Sequence, residues 1–144
     1  EMHLESLSVF ESSHIVIAAA AVSDYKPLNK LSQKYKKEFG TPEIVLQKTK
    51  DILADMGKAK KDQFLVGFAL ETNNEIENAK SKLAQKNLDL VVMNSLNDYG
   101  ACFESDTNKV TIFSKDNKMH KFELKSKQDV ANDIVDLILK EIDE

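Results

Sequence analysis

Charged side chains follow a run of small residues near the start of the chain, and this combination favours a site for a charged ligand. Residues 15–21 are two isoleucines, a valine and four alanines, and Asp24 comes shortly after them. Lys34, Lys36 and Lys37 lie a little further along. Lysines beside an acid suit a magnesium-bound polyphosphate, because Mg²⁺ needs few protein carboxylates. A solvated charged loop is the simpler explanation of the lysines taken alone.

Two further lysines and an aromatic residue extend this candidate site. Lys82 and Lys86 are spaced to share one face of a predicted helix, where like charges repel unless an anion lies between them. Alternatively, they complement the negative end of the helix dipole. Phe68 falls near the end of a predicted strand, where it either packs in the core or flanks a nucleotide base.

A strand is required to position Asp24. Residues 15–17 run into the alanines without alternation, which predicts a strand buried on both faces, as in a parallel sheet. Alanines at its end leave room for a ligand, and open α/β sheets bind ligands beyond the carboxyl ends of their strands. Pro27 keeps Lys26 extended, so that no helix begins at once. We therefore expect the ligand at the end of this strand.

Helices and strands alternate along the chain. Apolar spacing predicts helices over residues 2–10, 49–56, 73–86 and beyond 126, and it predicts strands over residues 43–47, 64–70, 88–93, 109–114 and 119–124. The lack of apolar periodicity predicts loops over residues 28–40 and 94–106, and a turn is expected at residues 116–117. The pattern is typical of one α/β domain with a mixed sheet that ends in an antiparallel hairpin.

Several residues are expected to begin helices or to face the core. Thr49 is the expected N-cap of the second helix, with Asp51 in its first turn. Ser126 and Asp129 resemble a capping box. Gly67 is expected to admit close approach of backbone to its strand. The expected inward stripes are Ile76, Ala79 and Leu83 in one helix, and Val130, Ile134, Leu137 and Ile138 in the last.

The composition limits the classes of function. The chain has 144 residues, a net charge of −4 and one cysteine, Cys102. The charge argues against nucleic-acid binding, and the single cysteine fits a reducing cytoplasm. We do not expect Cys102 to be a nucleophile, because isolated cysteines usually behave as small hydrophobes. No apolar run reaches the ~20 residues of a membrane span, and the three histidines lack the spacing of a zinc site.

Four stretches resemble the bacterial phosphopantothenate–cysteine ligases. They are AAAAVSDYKP at residues 18–27, the K-x-K-K pattern at residues 34–37, GFALETNN at residues 67–74 and KNLDLVVMN at residues 86–94. The resemblance covers essentially the whole chain and implies a Rossmann-like, doubly wound, mainly parallel sheet with an antiparallel C-terminal hairpin. In many bacteria this ligase is the C-terminal half of a bifunctional protein whose other half is a flavin-dependent decarboxylase.

The resemblance also implies a reaction. The family activates the carboxylate of 4′-phosphopantothenate with CTP, and the amine of L-cysteine then displaces CMP from the acyl-cytidylate to form an amide on the way to coenzyme A. CTP and Mg²⁺ are therefore expected, and FMN only where a decarboxylase is fused upstream. The family further implies a homodimer or higher homo-oligomer, and the hairpin at residues 109–124 offers one symmetric contact.

Site residues follow from the resemblance by position. Ala18, Ala19 and Ala20 would approach the nucleotide through their backbones, and Asp24 would bind the nucleotide or the metal. Lys34 is the expected catalytic residue, which helps to bind CTP and to convert the acyl-cytidylate. The remaining nucleotide contacts implied are Lys50, Asp51, Ile52, Leu53, Phe68, Lys82 and Lys86. Lys50 and Leu53 depart from the family's Pro-Asp-Ile-Val pattern, although backbone contacts at a helix N-terminus survive such changes.

Part of the family's pattern does not occur in these residues. The family begins its ligase domain with a glycine-rich loop and also holds the acyl-cytidylate with an asparagine, and neither precedes Glu1 here. We expect residues 1–144 to be a partial ligase domain whose N-terminal part is missing. As an isolated polypeptide it is expected to be inactive, with an exposed apolar edge on its sheet.

Two other classes of function compete with the ligase. A nucleotide-binding α/β module without chemistry of its own would use the same lysines for affinity alone. A Rossmann-like oxidoreductase would explain the alanine-rich strand, but the chain contains no G-x-G-x-x-G. Replacing Lys34 in a full-length protein separates the ligase from the module.

Overall fold

The computed structural model describes residues 1–36, 40–95, 97 and 105–143. Within these residues the helices are α1 (Met2–Phe10), α2 (Ile52–Ala59), α3 (Glu75–Gln85) and α4 (Lys127–Asp143). The strands are β1 (Ile15–Ala18), β2 (Tyr25–Pro27), β3 (Leu46–Lys48), β4 (Phe64–Glu71), β5 (Leu90–Ser95), β6 (Thr107–Asn108), β7 (Thr111–Ser114), β8 (Met119–Lys121) and β9 (Lys125–Ser126).

A five-stranded sheet in the order β1-β4-β5-β7-β8 forms the centre of the fold. β1, β4 and β5 run parallel, whereas β7 and β8 form an antiparallel hairpin against β5. Asn117 in the hairpin turn has a φ of +66°, a conformation that asparagine tolerates better than most residues. The predicted α/β fold with a parallel sheet and a C-terminal hairpin is confirmed.

Helices cover both faces of this sheet. On one face, Phe10 of α1, Met56 of α2 and Leu83 of α3 pack with side chains of β4 and β5. On the other, α4 buries the predicted stripe of Val130, Ile134, Leu137 and Ile138. Ser126 makes the first bond of the predicted capping box, because the Asp129 N–H donates to Ser126 Oγ at 3.1 Å, while the Ser126 hydroxyl donates to the Asp129 carboxylate at 2.6 Å.

The burial expected for β1 is wrong. β1 lies at the edge of the described sheet, and its residues alternate between exposed and half-buried. Ile15 and Ile17 are 41% and 43% exposed, because β1 pairs only with β4 on one side and the sheet face that these residues share is uncovered. The expectation of an exposed apolar edge is confirmed.

The segment between β1 and α2 differs from its prediction. The strand expected over residues 43–47 is β3, which is shifted toward α2 and pairs with β2, a strand that the sequence analysis missed. Thr49 is not the N-cap of α2. Asp51 is, because its carboxylate accepts the Ala54 N–H at 3.0 Å, whereas the Thr49 hydroxyl donates to the Ser23 carbonyl at 2.6 Å.

Three smaller expectations also need correction. Ile76 is 49% exposed, so the inward stripe of α3 consists of Ala79 and Leu83. The neighbours of Gly67 are leucine methyl groups and not backbone, since an added Cβ would lie 2.8 Å from Leu53 and Leu88 side chains. β5 continues to Ser95, into the loop predicted over residues 94–106. Most of that loop, including Cys102, lies outside the described residues.

No helix in the described part of the chain is long and apolar enough to cross a membrane.

Candidate functional site

A cavity of about 590 Å³ lies at the carboxyl ends of β1, β4 and β5. This is the edge of a parallel sheet at which α/β proteins bind ligands, and the volume falls within the range of small-molecule sites. Its walls are the segment after β1, the N-terminus of α2, the ends of β4 and β5, and lysines from α3. Met2 and Ser6 of α1 close one side.

The segment after β1 forms an alanine-lined wall that leads to Asp24. Ala18, Ala19 and Ala20 line the cavity, so that a ligand meets backbone and methyl groups there. Thr49 fixes the end of this segment, because its hydroxyl donates to the Ser23 carbonyl and its N–H donates to the Asp24 carbonyl at 2.8 Å. The Asp24 side chain is exposed and remains available to a ligand or a cation.

The N-terminus of α2 contributes a charged pair. The Asp51 carboxylate caps the helix and also accepts from Lys86, whose Nζ lies 2.9 Å from Oδ2 and 3.2 Å from Oδ1. Partial burial raises the pKa of Asp51, but the hydrogen bonds from the Ala54 N–H and Lys86 outweigh burial and hold it below its ordinary value. Asp51 is therefore a carboxylate at neutral pH.

Lys82 reaches the cavity from α3. Its Nζ donates to the Phe68 carbonyl at 2.5 Å. Burial lowers the pKa of the Lys82 ammonium, the neighbouring Lys86 charge lowers it further, and nearby carboxylates oppose this only in part. An anion in the cavity would supply the opposite charge that Lys82 lacks.

The structure brings together eleven of the twelve residues that the resemblance implies. Those that line the cavity are Ala18, Ala19, Ala20, Asp24, Lys50, Asp51, Ile52, Leu53, Phe68, Lys82 and Lys86. Lys34 does not line it and lies on an exposed segment, and Lys37 lies outside the described residues. The functional roles of all twelve stay predictions.

Sequence reasoning did not assign to the site four polar residues that line the cavity: Ser6, Ser23, Thr49 and Asn94. Asn94 lies at the carboxyl end of β5, opposite Leu70 of β4. The same strand-end rule that selected Asp24 would have found it. Ser6 carried no such signal, because it belongs to a helix that the sequence places before the first strand.

A magnesium ion needs little from the protein here. In the described part of the chain no three acidic, histidine or cysteine side chains cluster as metal ligands. Mg²⁺ bound to phosphates usually takes one or two carboxylates and keeps several waters, so the single exposed carboxylate of Asp24 fits that need.

Comparisons with known proteins find a matching family model and similar proteins, several of which are named for coenzyme A biosynthesis. The model of a family described as "DNA/pantothenate metabolism flavoprotein C-terminal domain" matches residues 1–142. The chain is 45% identical over 135 residues to the coenzyme A biosynthesis bifunctional protein CoaBC of Bacillus subtilis (strain 168), covering 94% of this chain and 33% of that protein. It is 51% identical over 140 residues to a protein named "Cysteine/Cysteine sulfinic acid decarboxylase" from an unknown prokaryotic organism. That match covers 96% of this chain and 39% of that protein.

Solved structures share the fold. The C-terminal domain of CoaBC superposes with a TM-score of 0.77 at 30% identity, over 99% of this chain and 62% of that chain. The Cab2 mutant H337A in complex with phosphopantothenate-cysteine has a TM-score of 0.65 at 20% identity, over 94% and 48%, which shows likeness of fold alone. The chain thus spans 33% and 39% of the two curated relatives and 62% of the solved CoaBC domain.

Proposed function

The chain belongs to the family of DNA/pantothenate metabolism flavoprotein C-terminal domains, and we propose that it supplies the nucleotide-binding part of a ligase. This ligase joins 4′-phosphopantothenate to L-cysteine with consumption of CTP. The match over residues 1–142 and the identity to CoaBC support a role in coenzyme A biosynthesis. We make no proposal for the activity in the name of the 51% identical relative, since the chain spans 39% of its length.

One observation carries the proposal. Residues from four separate parts of the sequence, chosen for their match to nucleotide contacts, line a single cavity at the carboxyl edge of the sheet. Three of them, Lys50, Lys82 and Lys86, bring ammonium groups, and α2 directs its N-terminus toward the same space. Cations and a helix N-terminus are what a nucleotide's phosphates require.

The proposed reaction has two steps. A carboxylate oxygen of 4′-phosphopantothenate attacks the α-phosphorus of CTP, the bond to the bridging oxygen breaks, and pyrophosphate leaves. The amine of cysteine then attacks the acyl carbon, the bond to CMP breaks, and the amine loses a proton as the amide forms. The first step is needed because a carboxylate is a poor electrophile.

The residues of this chain act mainly by holding charge. Lys82 and Lys86 would stabilise the charge that develops on the α-phosphate and on the leaving pyrophosphate. Asp24 would hold Mg²⁺, which when bound neutralises phosphate charge. Lys34 would act on the acyl-cytidylate, which requires its exposed segment to approach the cavity when ligand is bound.

Homodimerisation is part of the proposal. β8 forms one edge of the described sheet, and Met119 on it is 49% exposed. A second copy of the hairpin would cover this edge symmetrically. Sedimentation equilibrium of the chain, with and without a charge placed at Met119→Lys, measures whether this edge is the contact.

Calorimetric titration of the chain with Mg-CTP, with Mg-ATP as control, tests the nucleotide assignment. CTP-selective binding, even weak, would support base and phosphate contacts within residues 18–86. Absence of binding by this chain calls for the same titration on a chain extended upstream. If the extended chain also binds no CTP, the nucleotide assignment is wrong.

A further inference from the structure

Lys86 is the cation of the cavity that already has an anionic partner. Its Nζ donates to both carboxylate oxygens of Asp51, at 2.9 Å and 3.2 Å. Asp51 is itself held in place, because the Ala54 N–H donates to it at 3.0 Å. The pair therefore joins the N-terminus of α2 to the residue that ends α3.

The ion pair is exposed enough for a ligand to replace Asp51 as the partner of Lys86. The Lys86 side chain is 24% exposed and the Asp51 side chain is 46% exposed, and both line the cavity. An ion pair of this exposure is weak, because water screens the two charges. A phosphate group forms stronger, charge-assisted hydrogen bonds to the same ammonium. The entering ligand can therefore take Lys86 away from Asp51.

Lys82 does not offer the same exchange. Its Nζ is held by the Phe68 carbonyl, which is a neutral partner, and the side chain is half-buried. A phosphate near Lys82 meets no competing carboxylate bonded to it, whereas a phosphate near Lys86 must displace one. The two cations thus differ in what the ligand has to break.

We propose that Asp51 is an internal counter-ion that competes with the ligand's phosphates for Lys86, so that it limits nucleotide affinity and favours release of the anionic products. This inference rests on the proposed function, which makes the ligand a polyphosphate. Asp51 acts through Lys86 and is a positioning residue. It does not contact the reacting atoms.

Asp51→Asn tests the competition without removing the helix cap, because asparagine is about as good an N-cap as aspartate. Inorganic tripolyphosphate and Mg-CTP are titrated calorimetrically into the unchanged chain, Asp51→Asn, Lys86→Met and the double variant. Glu77→Gln is the matched control, since Glu77 is an exposed acid of α3 that does not line the cavity.

We expect Asp51→Asn to bind tripolyphosphate about three- to fivefold more tightly, which lies in the upper part of the range that an exposed ion pair corresponds to. Glu77→Gln should stay within about twofold of the unchanged chain. In the Lys86→Met background, Asp51→Asn should have a much smaller effect, because the cation that is bonded to Asp51 is gone and only its weaker interaction with Lys82 remains. Circular dichroism of each variant checks folding, and Lys86→Gln replaces Lys86→Met if the latter is unfolded.

The inference is overturned if Asp51→Asn weakens binding, if its effect is undiminished without Lys86, or if no variant binds tripolyphosphate. These outcomes are separate from the fate of the proposed function. Tighter tripolyphosphate binding without CTP selectivity would support the counter-ion and contradict the ligase. CTP-selective binding that Asp51→Asn does not strengthen would support the ligase and contradict the counter-ion.

Discussion

Lys82, which reaches the cavity from α3, loses its charge at a lower pH than an ordinary lysine does. The pKa of Lys82 lies below the usual lysine value of about 10.4, mainly because the side chain is buried. A phosphate binds the protonated ammonium, so that anion affinity is full below this pKa and is lost as pH rises through it. In the proposed site, burial of Lys82 would thus set an upper pH limit for ligand binding.

Lys82→Arg should move this limit upward, because a guanidinium stays protonated at all pH values used for proteins. Mg-CTP is titrated calorimetrically at a series of pH values from neutral to about pH 10. The affinity of the unchanged chain should fall at a lower pH than the affinity of Lys82→Arg. Lys80→Arg, on the same helix and outside the cavity, is the control. Parallel pH profiles for all three proteins would contradict a role of Lys82 in phosphate binding.

Lys34 is implied by the resemblance as the catalytic residue, but it does not line the cavity. We expect Lys34→Ala in the full-length protein to lower turnover by about 10²-fold, which is typical for loss of one group that stabilises charge in a transition state. Lys30→Ala on the same exposed segment should have little effect. Pyrophosphate release and amide formation, measured together, would show acyl-cytidylate accumulating if Lys34 acts on that intermediate. Unchanged turnover would contradict a catalytic Lys34.

Among the secondary-structure elements, the packing of α2 against the end of α3 holds the charged pair in place. Gly57 of α2 lies so close to the α3–β5 connection that an added Cβ would be 2.0 Å from the Lys86 carbonyl oxygen. That neighbour is backbone and cannot rotate away. Without the contact, Gly57→Ala would stabilise the helix by about 1 kcal/mol.

We therefore expect Gly57→Ala to destabilise the fold by about 1–3 kcal/mol despite its better helix propensity. Gly67→Ala is the comparison, because its new methyl group meets leucine side chains that can rotate, and its cost should be smaller. Urea unfolding measures both. Weaker tripolyphosphate binding by Gly57→Ala would also be expected, since Lys86 must shift. A Gly57→Ala chain as stable as the unchanged one would contradict this packing.

The elements also show what the sequence can predict. The four helices and the central strands follow from local apolar patterns, and those predictions are confirmed. β2, β6 and β9 escaped prediction because strands of two or three residues carry no period, and their pairing partners lie far along the chain. Thr49 and Asp51 are equally plausible caps in isolation, and the tertiary bond from Thr49 to the Ser23 carbonyl decides between them.

The candidate site depended on a different kind of information. The strand-end rule points to Asn94, and the strand order adds that β5 lies beside β4, so that Asn94 lines the same cavity as Asp24. The ion pair between Asp51 and Lys86 connects residues 35 positions apart, which spacing alone does not indicate. Residue types were thus predictable from strand ends and from the resemblance, whereas their partners required the fold.

For the molecule as a whole, the cavity opens onto an apolar surface. Ile15, Ile17 and Leu70 are 41%, 43% and 37% exposed at the β1 edge of the sheet, and Ile17 and Leu70 also line the cavity. Apolar side chains next to a ligand site usually form a wall that further protein completes. The chain spans 33% of the length of the CoaBC relative, which leaves room for such a wall in the rest of that protein.

We therefore expect residues 1–144 to bind nucleotide without ligating 4′-phosphopantothenate to cysteine, and a chain extended upstream to do both. Binding of a fluorescent apolar dye should fall in the extended chain, because Ile15, Ile17 and Leu70 become covered. Tripolyphosphate affinity should change far less, since Lys82 and Lys86 belong to the part already present. CMP release measured on both chains decides the point. Turnover by residues 1–144 at the rate of the extended chain would mean that the cavity is already a complete active site.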